Sequence, residues 1–562
     1  MNYSLPFIVD KSTMSLLVFL FVTSLCQASG HGLVKEIPLA DRLESSTLVV
    51  EAEVVSERAF WDVGRKSIFT AYTLHPITVF KGQLSENIEL VKRGGFIGLE
   101  GMIETPSLEM ATGDVGIFLL SPSGVVEEGQ TSAVGYQGVA GPLSMLKQNQ
   151  WTKQYADEFD FYGGQAEITR ALTSATGRAA VVVESRENIV PTLRSASVLP
   201  ITSISPTSII AGALDQLTIT GSGFGANPGL AFFANANSGG QTFSPAQPYQ
   251  IISWSDTQVV VEVPNQAGTG PVGIQTSAGE NILSSQILQI DYALTSVFSN
   301  FGGVPSSFNV QHANTDGNGG YVWQMYTGFA SNTPAVEAFE RALETWSCTS
   351  GINWEIGANT NVDTIASDGV NVVRFDIGTE LNGPIGVCTS YYGGCGNGQG
   401  GIEWYVSELD IVFDTATNWN FGPNPTTGGA IDFESVALHE LGHGHQLGHV
   451  IDPGGDVMHY IISNATDLRE PNANNTTGSN VISARGVSGS VCNFPAMVAI
   501  ECGPSACPGD FNSDNTVNID DFLSFSSDFG STCTCPTDLN GNGVVNVDDF
   551  LIFSSLFGSV CE

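Results

Sequence analysis

The stretch HELGHGHQLGHVIDPGGDVMHY (439–460) carries five of the chain's eight histidines. His439 and His443 are four residues apart, which on a helix puts them on one face, one turn apart, as two ligands of one metal ion require. Glu440 follows His439 directly, where a carboxylate can take a proton from a metal-coordinated water. His449 lies six residues past His443. On an unbroken helix six residues turn about 600° and rise about 9 Å, so His449 reaches the same metal only if the helix ends first. Gly444 and Gly448 offer such a break. His445, about 200° round the helix from His443, reads as a surface or packing histidine, and His459 reads the same way. Three imidazoles, an open fourth position and a neighbouring carboxylate are the residue types of zinc-assisted hydrolysis; a purely structural helical histidine pair is the alternative.

The elements that must position these residues are legible nearby. Asp432 opens the helix FESVALHELGH. TPAVEAFERALETWS (333–347) reads as a second helix: Thr333 caps it, Pro334 takes its first position, and Val336, Phe339, Leu343 and Trp346 share one face. ELDIVFD (408–414) reads as a strand. Met458, in GGDVMHY, comes nine residues after His449. HExxHxxxxxH followed by a methionine turn, with this helix and strand before it, resembles the metzincin clan of zinc peptidases over residues 295–500. The resemblance implies an α+β catalytic domain acting on a protein or peptide substrate. It implies one zinc on His439, His443 and His449, Glu440 as general base, and Met458 as a hydrophobic floor. Tyr460 would bind zinc or steady the transition state. The clan's pattern has glycine where this chain has Gln446, at the point where the helix ends in a left-handed conformation. That costs a non-glycine residue about 1–2 kcal/mol, against about 10 kcal/mol or more for structural zinc binding, so the departure bears on loop geometry and leaves the ligand set intact. With no cysteine between Cys26 and Cys348, nothing resembles a cysteine-switch latch.

The chain's end repeats itself. DFNSDNTVNIDDFLSFSSDFG (510–530) and DLNGNGVVNVDDFLIFSSLFG (538–558) each open with a calcium-loop pattern and run into a short apolar helix. Asp510, Asn512, Asp514, Asn518 and Asp521 supply side-chain oxygens in the first loop, with Thr516 giving a carbonyl. Asp538, Asn540, Asn542, Asn546 and Asp549 do so in the second, with Val544 giving the carbonyl. The pair, within 506–562, resembles type I dockerin modules, which implies about two Ca²⁺ ions and a cohesin-like partner. Cys507, Cys533, Cys535 and Cys561 flank the repeats and are untypical of that family; as disulfides they would staple a small module.

At 562 residues the chain predicts several domains. Residues 1–28 read as an export signal: Lys11, the apolar run SLLVFLFVTSL (15–25), then small residues. Residues 30–165 read as a β-rich domain or pro-region, and 166–198 as a connector. Residues 199–291 resemble the IPT/TIG family of immunoglobulin-like β-sandwiches through SISPTS, ITGSGFG and SWSDTQVVVEVP. The fold class expected is therefore multidomain: a β-rich domain, a β-sandwich, an α+β domain and a small α calcium-loop pair. A formal charge of −38 argues against nucleic acid as partner, and no later segment reads as a membrane span. Nine cysteines remain after the signal, an odd number for an exported protein expected to form disulfides. The expected protein is secreted or extracellular, attached through its C-terminal module. The rival readings are a non-catalytic surface adhesion or scaffold protein and a dockerin-attached component of a polysaccharide-degrading assembly.

Overall fold

The computed structural model describes residues 33–559, apart from 85–87, 150–151, 158, 185–200, 379, 398–400, 463–465, 501, 503–507, 513, 515, 534 and 541. The expected export signal, and Cys26, Cys507 and Cys561, lie outside the described residues. In the N-terminal region, strand β1 (Leu48–Trp61) pairs along its length with β2 (Ile68–Lys81), which pairs with β3 (Ile88–Arg93). Strand β6 (Val115–Pro122) returns to β1 and also joins β3 through Tyr136–Gly138, so the ring of strands closes on itself. Both faces of β1 are buried: Leu48, Val50, Ala52 and Val54 belong to one apolar cluster and Val49 to another. Helix α1 (Gln165–Thr176) buries Ile168 and Leu172 against the second cluster, and Val181–Val182 pair with β2. The stretch expected as a connector thus belongs to this unit as far as residue 182.

A hairpin leaves the unit. Strands β4 (Gly95–Ile97) and β5 (Glu100–Thr105) join a different sheet, the one that carries the histidine motif. That sheet comprises β8 (Tyr321–Met325), β9 (Trp354–Ile356), β10 (Asn371–Phe375), β11 (Gly386–Gly396) and β12 (Ile402–Phe413). Its order is β9-β8-β10-β12-β11-β5-β4; the first four run parallel, and β11 is antiparallel to both β12 and β5. The pairing of β5 with β11 spans Cys388–Gly393. Just before β11, Val34 bridges to Pro384, and Ile385 N–H donates to Leu33 O at 2.8 Å.

Helix α2 (Thr333–Ser350) packs against α3 (Phe433–Gly444) and α4 (Ala473–Val487). Its cap is Asn332 rather than Thr333: the Asn332 side chain accepts from the Ala335 N–H, and Thr333 is already helical. Phe339, Leu343 and Trp346 are buried as their spacing predicts, while Val336 is only partly so. Trp346 Nε1–H donates to Leu438 O in α3 at 2.7 Å, a bond that fixes the rotation of one helix on the other.

Residues 203–294 form two facing sheets around Leu217, Ile219, Val259, Val261, Val272 and Ile274. The last of these strands, β7 (Asn281–Leu294), also pairs with β13 (Leu447–Gly448), immediately after the histidine helix. At the C-terminus α5 (Ile519–Asp528) and α6 (Val547–Leu556) enclose Val517, Phe525, Val545 and Phe553. Among the described residues no helix is long and apolar enough to cross a membrane.

Disulfides join Cys348 to Cys502, Cys395 to Cys492 and Cys533 to Cys535, and Cys388 is a buried free thiol. The Cys395–Cys492 bridge ties the far end of β11 to the segment after α4. A C395S/C492S variant should lose about 2–4 kcal/mol of unfolding free energy, read from urea unfolding monitored by tryptophan fluorescence. An unchanged midpoint would show that this bridge does not constrain the unfolded chain.

Candidate metal centre

Helix α3 is buried along its whole length. Asp432 caps it, accepting from Ser435 N–H at 3.0 Å, and is held by Arg469 at 2.6 Å. The helix ends at Gly444, and the chain turns at Gln446, whose φ is +70°. The break thus falls between the two glycines that offered one. The left-handed backbone costs a residue with a side chain about 1–2 kcal/mol, and here the side chain itself offsets the cost. Gln446 Oε1 accepts from the Tyr392 hydroxyl at 2.9 Å, while Nε2 donates to Ser390 Oγ at 3.2 Å and to Gly444 O at 3.0 Å. Tyr392 and Ser390 lie on β11, so Gln446 ties the turn to the neighbouring sheet. Its carbonyl accepts from Thr295 N–H at the end of the sandwich.

This turn brings His449 back to the helix. The Nε2 atoms of His439, His443 and His449 lie 2.9, 3.1 and 3.1 Å from one another. Each Nδ1 faces an oxygen: Val457 O at 2.6 Å for His439, Leu447 O at 2.9 Å for His443, and Asn237 Oδ1 at 2.6 Å for His449. Backbone carbonyls only accept, so the proton sits on Nδ1 and the Nε2 lone pairs point at one another. Three such lone pairs repel unless a cation lies between them. Tetrahedral zinc with bonds of about 2.0–2.1 Å separates its nitrogen ligands by about 3.3 Å, within a few tenths of an ångström of this arrangement. The donor set therefore fits zinc. Burial also keeps the rings neutral, as ligands must be: it pushes His443 down to about 4 and His439 and His449 well below the ordinary histidine value.

Glu440 is wholly buried, and neither carboxylate oxygen has a hydrogen-bond partner among the described residues. Burial drives its carboxyl well above the usual range; the nearby Cys388 amide opposes this without making a well-formed bond. It abuts the start of β11, where a β-carbon on Gly386 would sit 2.8 Å from Glu440 Oε1. Met458 lies under the helix, where a β-carbon on Gly442 would come within 2.3 Å of its sulfur. Asp456 braces the methionine turn, accepting from Met458 N–H and from the amides of Asn472 and Asn475 at the head of α4. Tyr460 follows, its hydroxyl end pressed against Gly239 of the sandwich. His445 is a packing histidine: it is buried among His312, Trp346 and Trp354 and bonds to Ser350.

In the first C-terminal loop the carboxylates of Asp510, Asp514 and Asp521 converge within 4.8 Å of one another. Asp521 also accepts from the N–H groups of Phe511, Asn512 and Asn518. In the second loop Asp549 accepts from Asn540 and Asn546 N–H, and Asp538 from Asn542 N–H. Asn542 stands where the first loop has Asp514, so the second loop has one carboxylate fewer for a cation. The side chains of Asn518 and Asn546 cap the two following helices. Thr516 and Val544 offer their carbonyls to the neighbouring Asn518 and Asn546 amides.

Residues 199–292 match the IPT/TIG domain. No curated protein matches the chain. Among solved structures, a type II cohesin–dockerin from Bacteroides cellolosolvens is 36% identical over 9% of this chain and 87% of its own, with a TM-score of 0.09. SGBP-B from a xyloglucan utilization locus of Bacteroides uniformis is 10% identical over 44% of this chain and 53% of its own, with a TM-score of 0.13. The IPT/TIG domain reaches the histidine cluster and its flanking turn in three places: Asn237 on His449, Gly239 on Tyr460, and β7 on β13. None of these contacts has a local signal in the sequence, since Asn237 and His449 are 212 residues apart. The grip of Ser390 and Tyr392 on Gln446 was equally invisible.

The account of Gln446 has a direct check. Q446G should relieve the backbone but remove the buried hydrogen bonds to Tyr392 and Ser390, losing about 1–3 kcal/mol. Q446A should lose about 1 kcal/mol more, because it keeps the strain as well. Urea unfolding of the metal-free proteins should rank wild type above Q446G above Q446A; a Q446G more stable than wild type would refute the compensation.

Proposed function

We propose that the chain is an exported zinc-dependent metalloendopeptidase, metzincin-like in its site, with a calcium-binding docking module at its C-terminus. The observation that best supports this is the convergence of three Nε2 lone pairs beside an unpartnered buried carboxylate. His439, His443 and His449 would hold the ion, which when bound supplies Lewis acidity and lowers the pKa of a coordinated water towards neutrality. Glu440 would accept the proton of the water that adds to the peptide carbonyl and return it to the leaving amine. Met458 closes the floor with an apolar surface, so the imidazoles keep one arrangement. Tyr460 is kept as a transition-state partner in this reading, steadied by the turn that Asp456 braces.

A second reading, a non-catalytic adhesion or scaffold protein, draws on one observation. Glu440 and the three histidines are at most 6% exposed, and β5 lies on the strand beside them. An isolated buried carboxylate that serves no chemistry is costly, and this favours the enzyme.

The module at 506–562 would bind about two Ca²⁺ ions and dock to a cohesin-like protein, placing the enzyme at a cell surface or in a larger assembly.

Two experiments test these readings. Purified wild type should contain one zinc per chain and hydrolyse unfolded casein. Glu440→Ala should keep the zinc and lose about 10²- to 10⁴-fold in rate. Zinc without hydrolysis in the full-length protein would favour the scaffold. For the module, calorimetric titration with CaCl₂ should give two sites, and Asp521→Ala should remove the tighter one, since affinity follows carboxylate count. An unaltered two-site isotherm would exclude the first loop as a calcium site.

A further inference from the structure

His439 and His443 donate their outer hydrogen bonds to backbone carbonyls close by in their own region, Val457 and Leu447. His449 does not. Its Nδ1 bonds to the side chain of Asn237, which lies on a short 3₁₀ turn (Ala236–Ser238) of the IPT/TIG domain. Asn237 is in turn gripped from a third region: its Nδ2 donates to Oε1 of Glu109, in the N-terminal unit. Glu109 also accepts from Gln266 Nε2 and Asn235 Nδ2, both at 2.9 Å. Asn235 Oδ1 accepts from Asn237 N–H at 2.8 Å, which fixes the turn.

The chemistry along this chain has one consistent assignment. An ionised Glu109 only accepts, so the amide of Asn237 must present its NH₂ to Glu109 and its oxygen to His449. That oxygen also only accepts, so His449 carries its proton on Nδ1 and offers Nε2 as a lone pair. The carboxylate polarises the amide, and the amide fixes both the tautomer and the tilt of the ring. We infer that Glu109 and Asn237 are positioning residues for the third metal ligand, so that the metal centre is completed by side chains from two regions outside the histidine motif. The inference rests on the zinc reading and adds to it. The N-terminal unit is then part of the metal site, and its loss would leave Asn237 without the acceptor that orients it.

The test uses full-length protein and measures zinc affinity by competition with a chromophoric chelator at fixed pH, alongside the visible spectrum of the cobalt(II)-loaded protein. N237A should weaken zinc binding about 10- to 100-fold and shift the cobalt bands, because the His449 ring is free to turn. N237D sets a carboxylate against Glu109 and should also weaken binding. E109Q/N237D restores a donor facing an acceptor along the same line and should recover most of the lost affinity. Melting curves of the metal-free proteins show whether each variant is folded, and the N237D to E109Q/N237D comparison holds even if N237A is not. Wild-type affinity and spectrum in both N237A and N237D would overturn the inference while leaving the zinc reading in place. A wild type that binds no zinc would overturn both.

Discussion

Three imidazole nitrogens aimed at one point are the constraint that orders the surrounding structure. Two of them come at no cost in chain direction, because helical spacing puts His439 and His443 on one face. The third demands that the chain stop, reverse hand for one residue and return. Gln446 meets that demand with a backbone that resists it, and three side-chain hydrogen bonds hold it there. Two of those bonds reach into β11, so the orientation of His449 depends on the position of a strand outside the helix. The Trp346 bond to Leu438 and the Asp456 brace under Met458 hold the other sides of the same helix. Each wall of the site belongs to a different element and is hydrogen-bonded to it.

What could be read from the sequence was local. The helix over 433–444 followed from the Asp432 cap and the spacing of two histidines. The α2 helix followed from Phe339, Leu343 and Trp346 on one face, although the cap belongs to Asn332 because its side chain, one residue earlier, reaches the Ala335 amide. The calcium-loop pattern followed from carboxylates and amides at alternate places, repeated once. The IPT/TIG domain followed from turn residues between short apolar runs. These signals all act over a few residues, where periodicity and capping chemistry operate.

What was not legible was long-range. Residues 95–105 have the same alternating character as the strands around them, and alternation says that a segment is a strand without saying which sheet it joins. The hairpin therefore read as part of the N-terminal unit and is found on the sheet beside the histidines. Asn237 and Glu109 are single polar residues in loops, indistinguishable by type from many others. Their roles arise only when three distant segments meet. Gln446 was visible as a departure from a pattern, but its compensation was not, because Ser390 and Tyr392 sit more than fifty residues away.

The pairing of β5 with β11 has a consequence for anything that approaches this sheet. An edge strand is a template for extended chains, and adding a strand is a common way for peptides to bind. Here the template is already taken by a segment of the same molecule. A segment tethered within one chain acts at an effective concentration on the order of millimolar, so a free peptide present at micromolar levels is outnumbered about a thousandfold. The region that supplies this resident strand also supplies Glu109, which holds the Asn237 amide that faces His449. Any strand that adds to β11 along this edge must therefore displace one that the chain itself supplies.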